Sequence, residues 1–267
     1  MFHKSVLPVL VLSLSSLVLA QSQSQPQVED QAPSLSSTTA CNVTFSSGTS
    51  TNATRFCVTV NGNIAQFSVA GGEMIAVGSI LEGYGVCDST ANVPYYDWAY
   101  FASGTWGSPT FTHSGNVVTV TRTTTDSRWE LKQTITNVPA TATGPGSAKV
   151  SMALKNLSGI SRNAYIMRYA DVDADSDQSG NDFDFTGQTV FGLEPSNRGL
   201  SSTNNTFNIN FGQDTFAQNV AAPPSPCTPF TNFAAHPFHG DGSIVQFWSF
   251  AVPANATKTV VSTYKPI

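Results

Sequence analysis

Charge is scarce in this chain: only 11% of its 267 residues are Asp, Glu, Lys or Arg. Lys and Arg are never clustered, which excludes the basic footprint that a nucleic-acid partner requires. Cys-x-x-Cys spacing is missing, so a thiolate zinc site is excluded. No Gly-x-Ser-x-Gly elbow, His-Glu-x-x-His pair or phosphate-cradling glycine motif occurs. No segment shows helical periodicity with caps. Beyond residue 20 no apolar run approaches the roughly 20 residues that a bilayer span needs.

The N-terminus supplies the first positive signal. Lys4 stands in a short polar head, Ser5 to Leu19 is largely apolar, and Val18-Leu19-Ala20 offers small residues for cleavage. This is the pattern of a secretory signal peptide, 1–20, and predicts a secreted chain, or a periplasmic or cell-surface one in a bacterium. Residues 21–40 are rich in Gln, Ser and Pro and read as a flexible linker, too poor in apolar surface to offset the entropy of ordering. The remainder, 41–267, reads as one domain.

All four cysteines, Cys41, Cys57, Cys87 and Cys227, follow the cleavage site. An even number in an exported chain predicts disulfides. Three pairings are open; Cys41–Cys57 with Cys87–Cys227 is preferred because the first closes a short loop. Asn-x-Ser/Thr sequons stand at Asn42, Asn52, Asn156, Asn204 and Asn255. They are glycan acceptors where the host has eukaryotic secretory machinery; a chain rich in Thr and Asn also produces them by chance.

From Cys41 onward the hydrophobic period is two. Phe56, Val58 and Val60 alternate with Cys57 and Thr59, and Asn61-Gly62 then predicts a hairpin before Ile64. Trp129, Leu131 and Ile135 share one face of a strand whose other face carries Arg128, Glu130 and Lys132. Ala148, Val150, Met152 and Leu154 repeat the pattern. Turn signals recur at the spacing of sandwiches and barrels. The prediction is all-β: an antiparallel β-sandwich with few or no helices. The run VTRTTTDSRWELKQTI, leading through KVSMALKNLSG to RNAYIMRYADVDAD, is similar in style to large two-sheet supersandwich domains of carbohydrate-active proteins such as the galactose mutarotase-like group. The resemblance covers Val117 to Asp175, implies a fold, and carries no catalytic residues across.

Two segments carry chemistry. Residues 171–184 read DVDADSDQSGNDFD and contain six aspartates with no Lys or Arg. Once residues 1–20 are removed, acids and bases balance everywhere else, so the acidity is local. Asp171, Asp173, Asp175 and Asp177 alternate, with Asn181 and Asp182 following. This resembles a calcium loop of the EF-hand type, but Ser176 replaces the turn-making Gly and no Glu closes the loop. An irregular calcium site on a sheet loop is the expectation; a solvated acidic loop is the alternative. Residues 95–106 read YYDWAYFASGTW. As a strand they put Tyr96, Trp98 and Tyr100 on one face and Tyr95, Asp97 and Phe101 on the other, with Trp106 beyond a turn. Aromatic faces with a carboxylate, here Asp97, suit sugar recognition; packing between two sheets is the plainer use of the same rings.

Catalysis has weaker signals. His236, His239 and Asp241 share one Pro- and Gly-containing loop, able to bind a metal or to rest in structural hydrogen bonds. Glu73, Glu82 and Asp97 are the acids to test first for a paired-carboxylate glycosidase. The leading expectation is an exported, non-enzymatic binding domain for a glycan or cell-surface ligand, with calcium holding 171–184. A polysaccharide hydrolase or lyase, and a structural envelope protein without small ligand, are the alternatives.

Overall fold

A computed structural model describes residues 41–75, 82–99, 101–177, 179–217, 225–228 and 237–267. The signal peptide and linker read from the sequence, with Tyr100 and His236, lie outside the described residues.

The alternating segments pair into antiparallel ladders throughout. Strands are numbered in chain order. The first four are β1 (Cys41–Ser47), β2 (Thr54–Thr59), β3 (Ile64–Val69) and β4 (Gly72–Glu73), which pair in sequence as a small sheet. Then β5 (Glu82–Asp88), β6 (Val93–Trp98), β7 (Phe101–Ala102), β12 (Arg162–Asp171), β16 (Asn210–Ala217) and β18 (Gly242–Val252) form a sheet of six. Its order is β16-β18-β12-β5-β6-β7. The remaining strands are β8 (Thr110–Ser114), β9 (Val117–Thr123), β10 (Trp129–Val138), β11 (Ser147–Asn156), β13 (Asn181–Thr186), β14 (Thr189–Leu193), β15 (Gly199–Asn204), β17 (Phe238–Gly240) and β19 (Thr257–Pro266). They form a sheet of nine, β17-β13-β14-β15-β19-β11-β10-β9-β8. Two single 3-10 turns, Ser50–Asn52 and Ala174–Ser176, are the only helical segments among the described residues.

The two large sheets face each other as a sandwich. Val118 and Val120, Trp129, Leu131 and Ile135, and Val150, Met152 and Leu154 line one inner face. Tyr84, Val86, Ile166, Ile244 and Trp248 line the other, and all belong to one continuous core. Burying side chains of this size stabilises by about 1.5–3 kcal/mol each, which is why a period of two is enforced along every one of these strands. Polar cross-links run between the sheets: Trp248 Nε1 donates to Asn204 Oδ1 at 3.0 Å, and Ser202 Oγ donates to Gln246 Oε1 at 2.9 Å.

The N-terminal hairpin departs from the simplest two-sheet expectation by building a third sheet. The predicted Asn61-Gly62 turn is present, with Gly62 at φ +89. Its tip is an internal plug. Arg168 donates to the Gly62 carbonyl at 3.2 Å, and Asn63 Nδ2 donates to the carbonyls of Glu82 and Asp97 at 3.2 and 3.1 Å. The φ of +89 strains any other residue at position 62, and an added Cβ would also press on Gln133 Nε2 at 2.6 Å. Both preferred disulfides are present. Cys41–Cys57 joins neighbouring β1 and β2, and Cys87–Cys227 ties β5 to a segment 140 residues on.

Candidate functional site

The six-stranded sheet has two chemically distinct faces, and alternation along each strand decides which residue goes where. On β12, Ala164, Ile166, Arg168 and Ala170 point inward, leaving Met167, Tyr169 and Asp171 outward. On β6, Tyr95 and Asp97 point inward, and Tyr96 and Trp98 outward. The outward aromatic residues assemble with Val245 and Phe247 of β18 into a second apolar cluster, separate from the main core. Tyr96 and Trp98 stack with centroids 5.5 Å apart, and Trp98 packs against Tyr169 at 5.8 Å. Tyr96 is half-buried, while only 2% of Trp98 is exposed. The reason is the second disulfide. Cys227 brings Pro226 over Gly85, where an added Cβ would meet the Pro226 ring at 2.8 Å and Trp98 Cη2 at 3.1 Å.

The acidic segment meets this same face. The Ser243 hydroxyl lies 2.7 Å from Tyr169 Oη and 3.2 Å from Asp171 Oδ1. The pairing of β12 with β18 opposes Asp171 to Ser243 and so delivers Asp241, two residues earlier, to the same place. Asp171, Asp173 and Asp241 each offer a carboxylate oxygen, all within 4.8 Å of one another. Three carboxylate oxygens so close form a hard-cation donor set, of the kind calcium or magnesium takes.

The other acids of the segment are used differently. Asp175 pairs with Arg198 at 2.7 Å, and burial pushes its carboxyl above the usual range. Asp177 accepts the Ser179 and Gly180 N–H groups, which hold its carboxyl below the usual range. Asn181 stitches the loop, its Oδ1 accepting Ala174 N–H and its amide donating to the Asp177 carbonyl. Asp182 is exposed and pairs with His239 Nδ1 at 2.8 Å. Asp175 and Ser176 both adopt positive φ, so the sharp turn forms at Ser176 without glycine. Thus two of the six predicted ligands converge. The third acid, Asp241, stands with the histidines in sequence, and only the strand register across some seventy residues brings it here.

Asp97 and Trp106 lie on the inner side of the sheet. Asp97 is fully buried and paired with Arg122, whose guanidinium also bonds the Tyr84 hydroxyl at 2.9 Å and sits over the Trp106 ring. Trp106 packs between Tyr84 and Tyr95. Alongside, Glu82 pairs with Arg168, both at 0% exposure, and Glu82 accepts Ile64 N–H at 2.7 Å and the Tyr264 hydroxyl at 3.1 Å. Arg168 also donates to Gln133 Oε1 at 2.6 Å. Burial pushes Glu82 and Asp97 upward, against the pull of their arginines. Burial also raises Glu73, whose carboxylate accepts Phe67 N–H at 2.7 Å. All three acids first considered for glycosidic chemistry are therefore engaged in internal bonds.

No family model and no curated protein matches this chain. Among solved structures, it is similar to bacterial glucoamylase complexed with acarbose, with TM-score 0.58 and 9% identity, covering 85% of this chain and 32% of that one. The likeness is one of fold. It is also similar to heparan sulfate lyase HepC from Pedobacter heparinus (TM-score 0.45, 10% identity, 84% of this chain and 34% of that one). A galactose mutarotase related enzyme from Lactobacillus acidophilus aligns with TM-score 0.45 and 7% identity, over 84% of this chain and 97% of that one. The chain spans about a third of the length of the glucoamylase and the lyase.

Proposed function

We propose that this chain is an exported carbohydrate-binding β-sandwich. Its ligand face is the outer side of the six-stranded sheet, beside a calcium ion held by Asp171, Asp173 and Asp241. The observation that carries this reading is contiguity: Tyr96 stacks on Trp98, Trp98 packs against Tyr169, and the Tyr169 hydroxyl meets Ser243 beside the three carboxylates. An aromatic ring presents apolar surface to the C–H faces of a sugar, and a nearby polar cluster meets its hydroxyl groups; Trp98 and Tyr169 are themselves buried. Tyr96, the half-buried ring, is the one a ligand meets first, with Trp98 and Tyr169 as its support. The fold shared with a glucoamylase solved with acarbose supports the sugar class.

Binding is favoured over hydrolysis for a specific reason. Glu82 and Asp97 are each closed within the sandwich beside an arginine, and neither reaches the outer face. A general acid must touch the leaving oxygen.

The test is equilibrium binding of the mature chain to a broad panel of oligosaccharides, with calcium in excess and then with EDTA. Saturable binding that weakens at least tenfold on Tyr96→Ala, with the melting temperature unchanged, supports the reading. A clean failure across the panel removes the carbohydrate ligand. Release of product from any polysaccharide would restore the hydrolase alternative.

A further inference from the structure

The five sequons are equivalent in sequence and very unequal in the fold. Asn156 is fully buried, and its Nδ2, the atom a glycan would occupy, donates to the carbonyls of Ile160, Val252 and Pro253 at 2.7, 3.0 and 3.3 Å. Asn204 is 3% exposed; its Nδ2 donates to Gln188 and to the Thr206 carbonyl, and its Oδ1 accepts Trp248 Nε1. A sugar on either nitrogen would have to enter the core and leave buried carbonyls unbonded, a loss of about 1–3 kcal/mol for each group before any steric term. Asn52 also commits its Nδ2, to the Thr141 carbonyl at 3.1 Å.

Asn42 and Asn255 are different. Asn42 is the extra residue of a bulge, where the β1–β2 register skips from Cys41 to Val43, and it is exposed together with Thr44 of its sequon. Asn255 is at the tip of the β18–β19 turn with φ +58, exposed together with Thr257. Among the described residues neither side chain makes a hydrogen bond.

We infer that Asn42 and Asn255 are N-glycan acceptors in a eukaryotic secretory pathway, and that Asn52, Asn156 and Asn204 stay bare in the folded, secreted protein. The donor is a lipid-pyrophosphate-linked oligosaccharide. The asparagine Nδ2 forms a bond to the anomeric carbon, the bond from that carbon to the pyrophosphate oxygen breaks, and the amide loses one proton as the lipid pyrophosphate leaves. Asn255 stands at the Val252 end of β18 and the three-carboxylate cluster at its Ser243 end. Eleven residues of strand separate the two by about 35 Å, so a glycan there leaves the cluster open.

The experiment is secretion of the full chain from a eukaryotic cell line, followed by intact mass and glycopeptide mapping. Two glycans are expected, on the Asn42 and Asn255 peptides, and each of Thr44→Ala and Thr257→Ala removes one while secretion and melting temperature hold. Bare Asn42 or Asn255 overturns the assignment at that position. A glycan on Asn156 or Asn204 in protein that melts cooperatively overturns the burial argument itself. Asn156→Gln is the second readout: it should lower secretion and melting temperature without changing glycan mass, because the residue is a structural cross-link.

Discussion

Tyr169 and Asp171 leave the same side of one strand, and the Ser243 hydroxyl joins them, 2.7 Å from the phenol and 3.2 Å from the carboxylate. The aromatic cluster and the acidic cluster are consequently contiguous, and a cation at the carboxylates would order the acidic end. A ligand that binds only the folded state stabilises by RT ln(1 + [L]/Kd), about 2.7 kcal/mol at a hundredfold excess over Kd. Calcium is expected to raise the melting temperature saturably from an EDTA baseline. Asp173→Asn and Asp241→Asn should each abolish the rise, and Asp182→Asn, whose carboxylate faces His239 instead, should leave it intact. A rise equal in all three variants, or none at millimolar calcium, contradicts the assignment.

Glu82→Gln tests the interior network. The variant leaves Arg168 charged and fully buried without its counter-ion, and breaking one side of a buried pair costs about 3–5 kcal/mol. Arg168→Met should cost a similar amount for the mirrored reason. The double variant should cost less than the two single changes added together, because it buries no lone charge. Chemical denaturation of the four proteins measures this, and strict additivity would mean that the pair is not coupled.

Much of this architecture is legible from local alternation. The period of two places Tyr96 and Trp98 opposite Asp97, and Arg168 opposite Asp171 and Asp173; the structure has those faces within β6 and β12, and β12 ends at Asp171. The Asn61-Gly62 turn was readable from turn chemistry, and loop length favoured the observed disulfide pairing among the three that four cysteines leave open. The convergence of Asp241 on Asp171 was not, because it follows from the β12–β18 register, which no local pattern encodes. The burial of Trp98 was not either, since it depends on Pro226 being carried over Gly85 by a cross-link spanning 140 residues. Trp106, read beside the platform, is inside because the chain turns between β6 and β9, and Arg122 gives its ring a cationic partner.

The two disulfides should differ in weight. A cross-link stabilises chiefly by restricting the unfolded chain, by about 3 kcal/mol for a loop near 15 residues and about 4.7 kcal/mol near 100. Cys41→Ser with Cys57→Ser opens a separation of 16, while Cys87→Ser with Cys227→Ser opens one of 140 and also releases Pro226 from its seat beside Trp98. The second double variant should therefore be the less stable. It should also show acrylamide quenching of tryptophan fluorescence that the first does not, an increment lost on Trp98→Phe. Equal stability with no change in quenching would mean that neither the long loop nor the Pro226 contact is held by this bond.

Asp126 gives the molecule a defined acid-side weakness. Its carboxylate accepts the Tyr95 hydroxyl at 2.7 Å, the Thr124 hydroxyl at 2.7 Å and the Arg128 N–H at 3.2 Å. Partial burial works upward on the carboxyl, but these donors and the Arg128 charge outweigh it, and the group titrates below its ordinary range. A carboxyl depressed in the folded state adds stability above its unfolded value, about 3.9, and loses it as pH falls through the folded value. Asp126→Asn cannot titrate. The melting-temperature gap between the parent and Asp126→Asn should thus be constant from pH 7 to about 5 and narrow below about 4. The carboxylate is about one-third exposed, so added salt should shrink the gap at pH 7 by screening the Arg128 contribution. A gap that stays flat to pH 3 would assign the stabilisation to the neutral hydrogen bonds that asparagine also makes. A gap that widens on acidification would reverse the sign of the linkage and contradict the depressed carboxyl at Asp126, because the raised carboxyls Glu82 and Asp97 are common to both proteins and cancel from the difference.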